Sequence, residues 1–193
     1  QDSSFSYGMR GAEYYKAGEY ALAKPDFEYV AQSPDSRYEP EKFVYLYTAL
    51  GVMSGEADPK QALAYFQKAA HAKPSAETLA QVGQAYLNSG ALREAEEAFQ
   101  NSLAQKGSHT PAYDGLLRIY LEQGRHQEMI VILTKMIESQ RNSPLLHKKR
   151  AYIYLQLNER HKAQEDVDRA MMLMRQSKRP LKTDPELMQL MKM

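Results

Sequence analysis

The feature that most constrains this chain is a pattern that returns every 34 residues. It is clearest from Ala76 to His109, AETLAQVGQAYLNSGALREAEEAFQNSLAQKGSH. Large or apolar residues stand at Leu79, Val82, Tyr86, Leu92, Phe99 and Leu103, small ones at Gly83, Ala95 and Ser102. Gly90 lies between the two halves. This spacing predicts an amphipathic helix, a tight turn and a second amphipathic helix. One such hairpin cannot bury both of its faces alone, so it needs neighbours like itself.

Laying the frame along the chain gives five copies, at about 4–37, 38–75, 76–109, 110–143 and 144–177. A closing helix follows at about 184–193, and the whole chain, 1–193, is expected to form a single domain. In the first copy the turn glycine is Gly18, the second helix is expected to begin near Ala21 with Pro25 in its first turn, and Ser33-Pro34-Asp35 ends it. The second copy is about two residues longer between Gly55 and Ala62, and Asp58-Pro59 restarts its second helix as cap and first position. Ser75, Thr110-Pro111 and Ser143-Pro144 are read as helix starts. Asn158 replaces the turn glycine of the fifth copy, the usual second choice for a left-handed residue at a helix end. The stretch from Gln176 to Thr183 reads as a polar, basic linker before a short helix whose Leu187, Leu190 and Met191 share one face.

Composition narrows the function. Hydrophobic residues make up 43% and charged residues 25%, as in a folded rather than a disordered chain. The longest apolar runs are too short for a transmembrane helix. With no cysteine there is no disulfide, thiol nucleophile or thiolate metal site. The start at Gln1 and the missing cysteines lead us to expect a bacterial periplasmic or envelope location, with the cytoplasm as the alternative. Charge is unevenly spread. Residues 1–140 hold 13 Lys and Arg against 18 Asp and Glu, and residues 141–182 hold 11 against 4. The basic stretch is expected to be a solvated helical surface. The alternative is a nucleic-acid-binding helical repeat using Arg141, Lys148, Lys149, Arg150, Arg160, Lys162 and Arg169.

The repeat resembles the tetratricopeptide repeat (TPR). That family places a large residue, a Leu-Gly or similar pair, a Tyr, a turn Gly, an Ala, an aromatic and a further Ala at fixed offsets over about 34 residues. The third copy matches at Leu79, Val82-Gly83, Tyr86, Gly90, Ala95 and Phe99, and the fifth at Ala151, Tyr154, Ala163 and Ala170. The second copy, with its long loop and Lys68-Ala69-Ala70, resembles the family's extended-loop relatives. The resemblance covers about residues 4–177. It implies an all-α, right-handed α-solenoid of about five antiparallel helix-turn-helix repeats with a C-terminal capping helix. The fourth copy departs from it, because Leu117, Met129 and Met136 stand where small residues are usual. Wider helix separation is expected there, unless methionine's flexibility absorbs the crowding.

The resemblance also implies a function, a concave groove that takes a peptide or a partner helix. Carried onto matching positions, groove-facing residues are Lys42 and Tyr45 in the second copy, Asn88 in the third, Asp114 and Arg118 in the fourth, and Lys148 and Tyr152 in the fifth. Arg118, Lys148 and Asn88 would hydrogen-bond a partner, and the two tyrosines would pack on its side chains. Some family members hold a carboxylate tail with Lys and then Asn on one helix. Here Tyr152 follows Lys148 and Asp114 stands where a base is wanted, so that clamp is not formed. Nine of 14 tyrosines lie in residues 1–65. Tyr7, Tyr14, Tyr20, Tyr47 and Tyr65 match core positions, whereas Tyr15, Tyr29, Tyr38 and Tyr45 do not.

No catalytic set emerges. The histidines His71, His109, His126, His147 and His161 have no metal-ligand spacing and are expected at surfaces or turns. There is no glycine-rich phosphate loop, and no cofactor is implied. The expected role is a non-enzymatic scaffold or adaptor with a protein or peptide partner, with assembly of a bacterial envelope complex as the finer expectation. Self-association into a homo-oligomer stays open, because repeat arrays expose apolar flanks at their ends.

Overall fold

The computed structural model describes residues 4–32, 40–55, 57–176 and 185–190. The expected helix stop at Ser33-Pro34-Asp35, Tyr38, the linker after Gln176, and the side chains of Leu187 and Met191 lie outside the described residues. All of the regular structure described is helical. The elements are α1 (Ser4–Lys16), α2 (Tyr20–Gln32), α3 (Pro40–Ser54), α4 (Pro59–Ala72), α5 (Ala76–Asn88), α6 (Leu92–Gln105), α7 (Thr110–Glu122), α8 (His126–Ser139), α9 (Pro144–Gln156), α10 (Arg160–Gln176) and α11 (Pro185–Leu190). The expected all-α repeat fold is therefore present. The chain divides into two compact units, Gln1–Gly115 and Leu116–Met193.

In the first unit helices pack as α1 on α2, α3 on α4 and α5 on α6. The turns obey local chemistry. Gly18, Gly55 and Gly90 all have positive φ. Asp58 caps α4 by accepting from the Gln61 amide at 3.0 Å, with Pro59 first in the helix. Ser75 caps α5 in a reciprocal box with Thr78. Each pair repeats one packing device, a glycine on the first helix facing an aromatic on the second. A Cβ added at Gly11 would stand 3.0 Å from the Phe27 ring, at Gly51 2.7 Å from Phe66, and at Gly83 2.8 Å from Phe99. Absence of the side chain lets the ring lie against the backbone. The core of the first two pairs is Ala23, Phe27, Val30, Leu46, Ala49 and Leu50. Tyr15 tilts against Phe27, with Tyr45 edge-on to both rings.

Three local expectations are corrected. Helix α2 begins at Tyr20, one residue before Ala21, because Glu19 already accepts from the Leu22 and Ala23 amides. Pro25 is therefore inside the helix rather than in its first turn, and the Ala21 carbonyl that loses its donor is on an exposed residue. Tyr20 was expected in the core but is 52% exposed, its ring leaning on Tyr15 from outside. Thr110 is the first residue of α7 instead of its cap, because the His109 carbonyl accepts from the Ala112 and Tyr113 amides.

In the second unit α9 packs on α10 and on α8, and α11 lies on α9. Gly124 has φ 66°, and Asn158, at φ 60°, takes the left-handed role expected of it. Ala151, Ala163, Val167, Ala170 and Met174 form the core of the last pair, and Leu190 of α11 completes it. Met129 and Met136 are both buried.

Candidate functional site

The second unit carries a cavity of about 640 Å³. Its apolar floor comes from Leu117 of α7, Met129 and Leu133 of α8, and Ile153 of α9, all of them buried. Its rim is polar and aromatic. Helix α7 supplies Arg118 and Leu121, α9 supplies Lys149, Tyr152 and Gln156, and the buried Lys148 of α9 lines the cavity from inside. Gln189 and Leu190 of α11 line it too. Leu121 is 60% and Tyr152 52% exposed, so both present apolar surface to solvent beside the cavity. The size falls in the range of about 300–1,000 Å³ typical of ligand sites.

A buried polar network fixes the α9 side of this cavity. Asp166 of α10, 3% exposed, receives Arg150 Nε at 2.7 Å and Arg150 Nη2 at 2.8 Å. His147 Nδ1 is 2.7 Å from Asp166 Oδ1. Arg150 Nη1 donates to Thr134 Oγ1 at 2.9 Å, and Thr134 donates to the Ile130 carbonyl at 2.8 Å. One guanidinium thus ties α8, α9 and α10 together. Burial alone pushes the Asp166 carboxyl up, but the hydrogen bonds from Arg150 and His147 outweigh it and hold the group below the ordinary carboxylate range. Arg150 is shifted up by its hydrogen bonds to Asp166. With three hydrogen bonds from two residues on one buried carboxylate, this cluster is a packing device rather than an acid–base pair.

In the first unit the sequence-predicted side chains meet neighbours of their own. Lys42 Nζ lies over the Phe5 ring at 5.2 Å, and Tyr45 packs on Tyr15 and Phe27. Both side chains are engaged by the aromatic cluster. Asn88 is exposed and accepts from Gln84 at 2.7 Å. Asp114 is exposed and lies in the first unit.

No protein-family model matches the chain. ETO1-like protein 2 of Arabidopsis thaliana is 34% identical over 109 residues, a stretch that spans 56% of this chain and 11% of that protein. Solved structures match far more of the length. One crystal structure of MamA superposes with a TM-score of 0.73 at 19% identity, covering 89% of this chain and 92% of that one. YrrB, described as a TPR protein with an unusual peptide-binding site, superposes with a TM-score of 0.72 at 14% identity, covering 99% of this chain and 93% of that one. The chain has the tetratricopeptide-repeat fold.

Within this TPR fold the sequence-predicted residues separate. Arg118, Lys148 and Tyr152 come together on one cavity, while Lys42, Tyr45, Asn88 and Asp114 do not join them. Lys148 is only 9% exposed, so it lines the cavity from inside rather than projecting from its rim. One histidine expected at a surface or turn is instead buried within a helix, His147 of α9, held by Asp166. His109 stands in the turn between α6 and α7, as expected, and is 7% exposed, its Nε2 3.7 Å from Glu77.

Sequence reasoning missed the Arg150–Asp166 pair, although a signal was present. Arg10 and Asp26, bonded at 2.7 and 2.8 Å, are likewise sixteen residues apart and occupy the same places in the first copy. In the third and fourth copies those places hold Val82 with Ala98 and Leu116 with Ile132, all buried. A charged pair replacing an apolar pair at one frame position is the mark of a buried salt bridge. The same network removes Arg150 from the basic set proposed for nucleic acid, and Lys162 is paired with Glu159 at 2.5 Å.

Proposed function

We propose that this chain is a non-enzymatic scaffold that seats a peptide or helix of a partner protein in the cavity of residues 117–190. The observation that carries the reading is the cavity itself. A buried apolar floor lies under a rim where Leu121 and Tyr152 are left more than half exposed. Apolar rings and chains left open to water at a concave site mark a surface that a partner covers. The peptide-binding site in the description of YrrB, a protein of the same fold, supports the reading. Among the described residues no cluster of His, Asp or Glu suits a metal ion, and no helix is long and apolar enough to cross a membrane.

The direct test is a photo-crosslinking residue placed at Leu121, with one at Val52, exposed on α3, as control. Crosslinked polypeptide is expected from position 121 alone. Equal yields at both positions would remove the cavity as the seat. The finer part of the proposal is assembly work in a bacterial envelope, with the cytoplasm as the alternative compartment. Fractionation of the source cells tests it, and recovery with cytoplasmic markers would overturn it.

A further inference from the structure

We infer that the segment seated in this cavity is acidic and aliphatic. It is a linear stretch of a partner protein with an aliphatic anchor side chain and Asp or Glu on both sides of it. The inference rests on the reading of the cavity as a peptide seat. Its first support is the charge of the lining. Arg118 and Lys149, both exposed, face the cavity, and no Asp or Glu is among its described lining residues. A general helical surface would mix signs, as the salt-bridged faces of α1 and α2 do with Lys16–Glu13 and Lys24–Glu28. The described stretch 141–176 carries 8 Lys and Arg against 4 Asp and Glu, a net charge of the same sign.

The second support is the floor. Leu117, Leu133 and Ile153 are branched aliphatics at the bottom of the cavity, and they suit a Leu, Ile or Met side chain. Ions beside such a floor interact through less water than on an open surface, so complementary charge weighs more there. The cations also lie on different walls, Arg118 on α7 and Lys149 on α9. A lone terminal carboxylate meets one wall, whereas side-chain carboxylates on both sides of an anchor meet both. Nucleic acid fits poorly, because the floor offers no polar group for a phosphate and Arg150 is committed to Asp166.

The test uses the full chain and a phage-displayed random library of peptides roughly twelve residues long. Selected peptides are then measured free in solution by fluorescence anisotropy. Enrichment of Leu, Ile or Met flanked by Asp or Glu is expected. Arg118→Glu with Lys149→Glu should weaken those peptides at least about tenfold, and so should Glu→Gln changes in the peptide. Affinity should also fall from about 50 mM to about 500 mM salt. Both substituted residues are exposed, and the Arg118→Gln, Lys149→Gln pair, with helicity checked by circular dichroism, guards against misfolding. Peptides that are neutral or basic, yet lost on Leu121→Asp, would overturn the acidic inference and leave the seat standing. Peptides indifferent to both Leu121→Asp and charge reversal would overturn both. Displacement of bound peptide by single-stranded RNA at about 150 mM salt would also overturn the acidic inference.

Discussion

At the scale of single residues, Asp166 is where this fold is most exposed to damage. It is buried and accepts from both Arg150 and His147. Removing one partner of a buried pair strands the other charge, which costs about 3–5 kcal/mol in comparable sites. Asp166→Ala should therefore lower the urea midpoint markedly, with a loss of about 3 kcal/mol or more by linear extrapolation. A loss under about 1 kcal/mol would mean that water or a shifted Arg150 takes over the role. The pH dependence has a definite sign. The folded carboxyl titrates below its unfolded value, near about 3.9. Its contribution is full above that value and is lost as pH falls through the lower, folded one. The stability gap between the parent and Asp166→Asn should stay constant above about pH 5 and narrow below about pH 4. A gap that widened on acidification would contradict the assignment.

At the scale of the helix pair, a few small residues decide how closely helices approach. Phe99 is 1% exposed, and a Cβ added at either Gly83 or Gly115 would collide with its ring. Gly83→Ala should cost about 1–3 kcal/mol by overpacking, although alanine is the better helix former. Thermal melts check this, and an unchanged or raised midpoint would show that the ring can move aside. At the other end, Leu190 of α11, which packs on α9, shares a core cluster with Ala151, Val167 and Ala170. Leu190→Asp should destabilise the last pair by about 2 kcal/mol or more, measured by the same melts. A melt superposable on the parent would show that α11 is not needed to close the array. These devices were legible in the sequence because they recur. Gly11 and Gly83 hold the same place in the first and third copies, and Gly18, Gly90, Gly124 and Asn158 mark the turns. The Arg10–Asp26 and Arg150–Asp166 pairs were hidden because partners sixteen residues apart meet only after the hairpin closes. The cavity was half legible. Repeat position pointed to Arg118, Lys148 and Tyr152, but it could not tell that Tyr45 and Lys42 would be taken up by neighbouring rings.

At the scale of the whole molecule, cooperativity is the property that follows from this construction. Each helix pair buries its faces against adjacent elements, as α9 does against α8, α10 and α11. In such arrays stability is close to a sum of repeat and nearest-neighbour terms, so a local defect spreads only as far as its neighbours. The Arg150 guanidinium joins α8, α9 and α10, and nothing in that network reaches α1 to α4. Asp166→Ala should therefore raise amide hydrogen exchange across residues 126–176 and leave α1 to α4 at parental rates. Gly83→Ala should do the reverse, loosening α5 and α6 while the α9–α10 pair keeps its protection. The comparison is made peptide by peptide, below the denaturant concentration at which either variant begins to unfold globally. If either substitution sped exchange equally in all helices, residues 1–193 would unfold as one cooperative block. If the two patterns separate, the division near Gly115 is a boundary of stability as well as of packing. A ligand held by the cavity should then protect residues 117–190 in proportion to its concentration over its dissociation constant, and do less for α1 to α4.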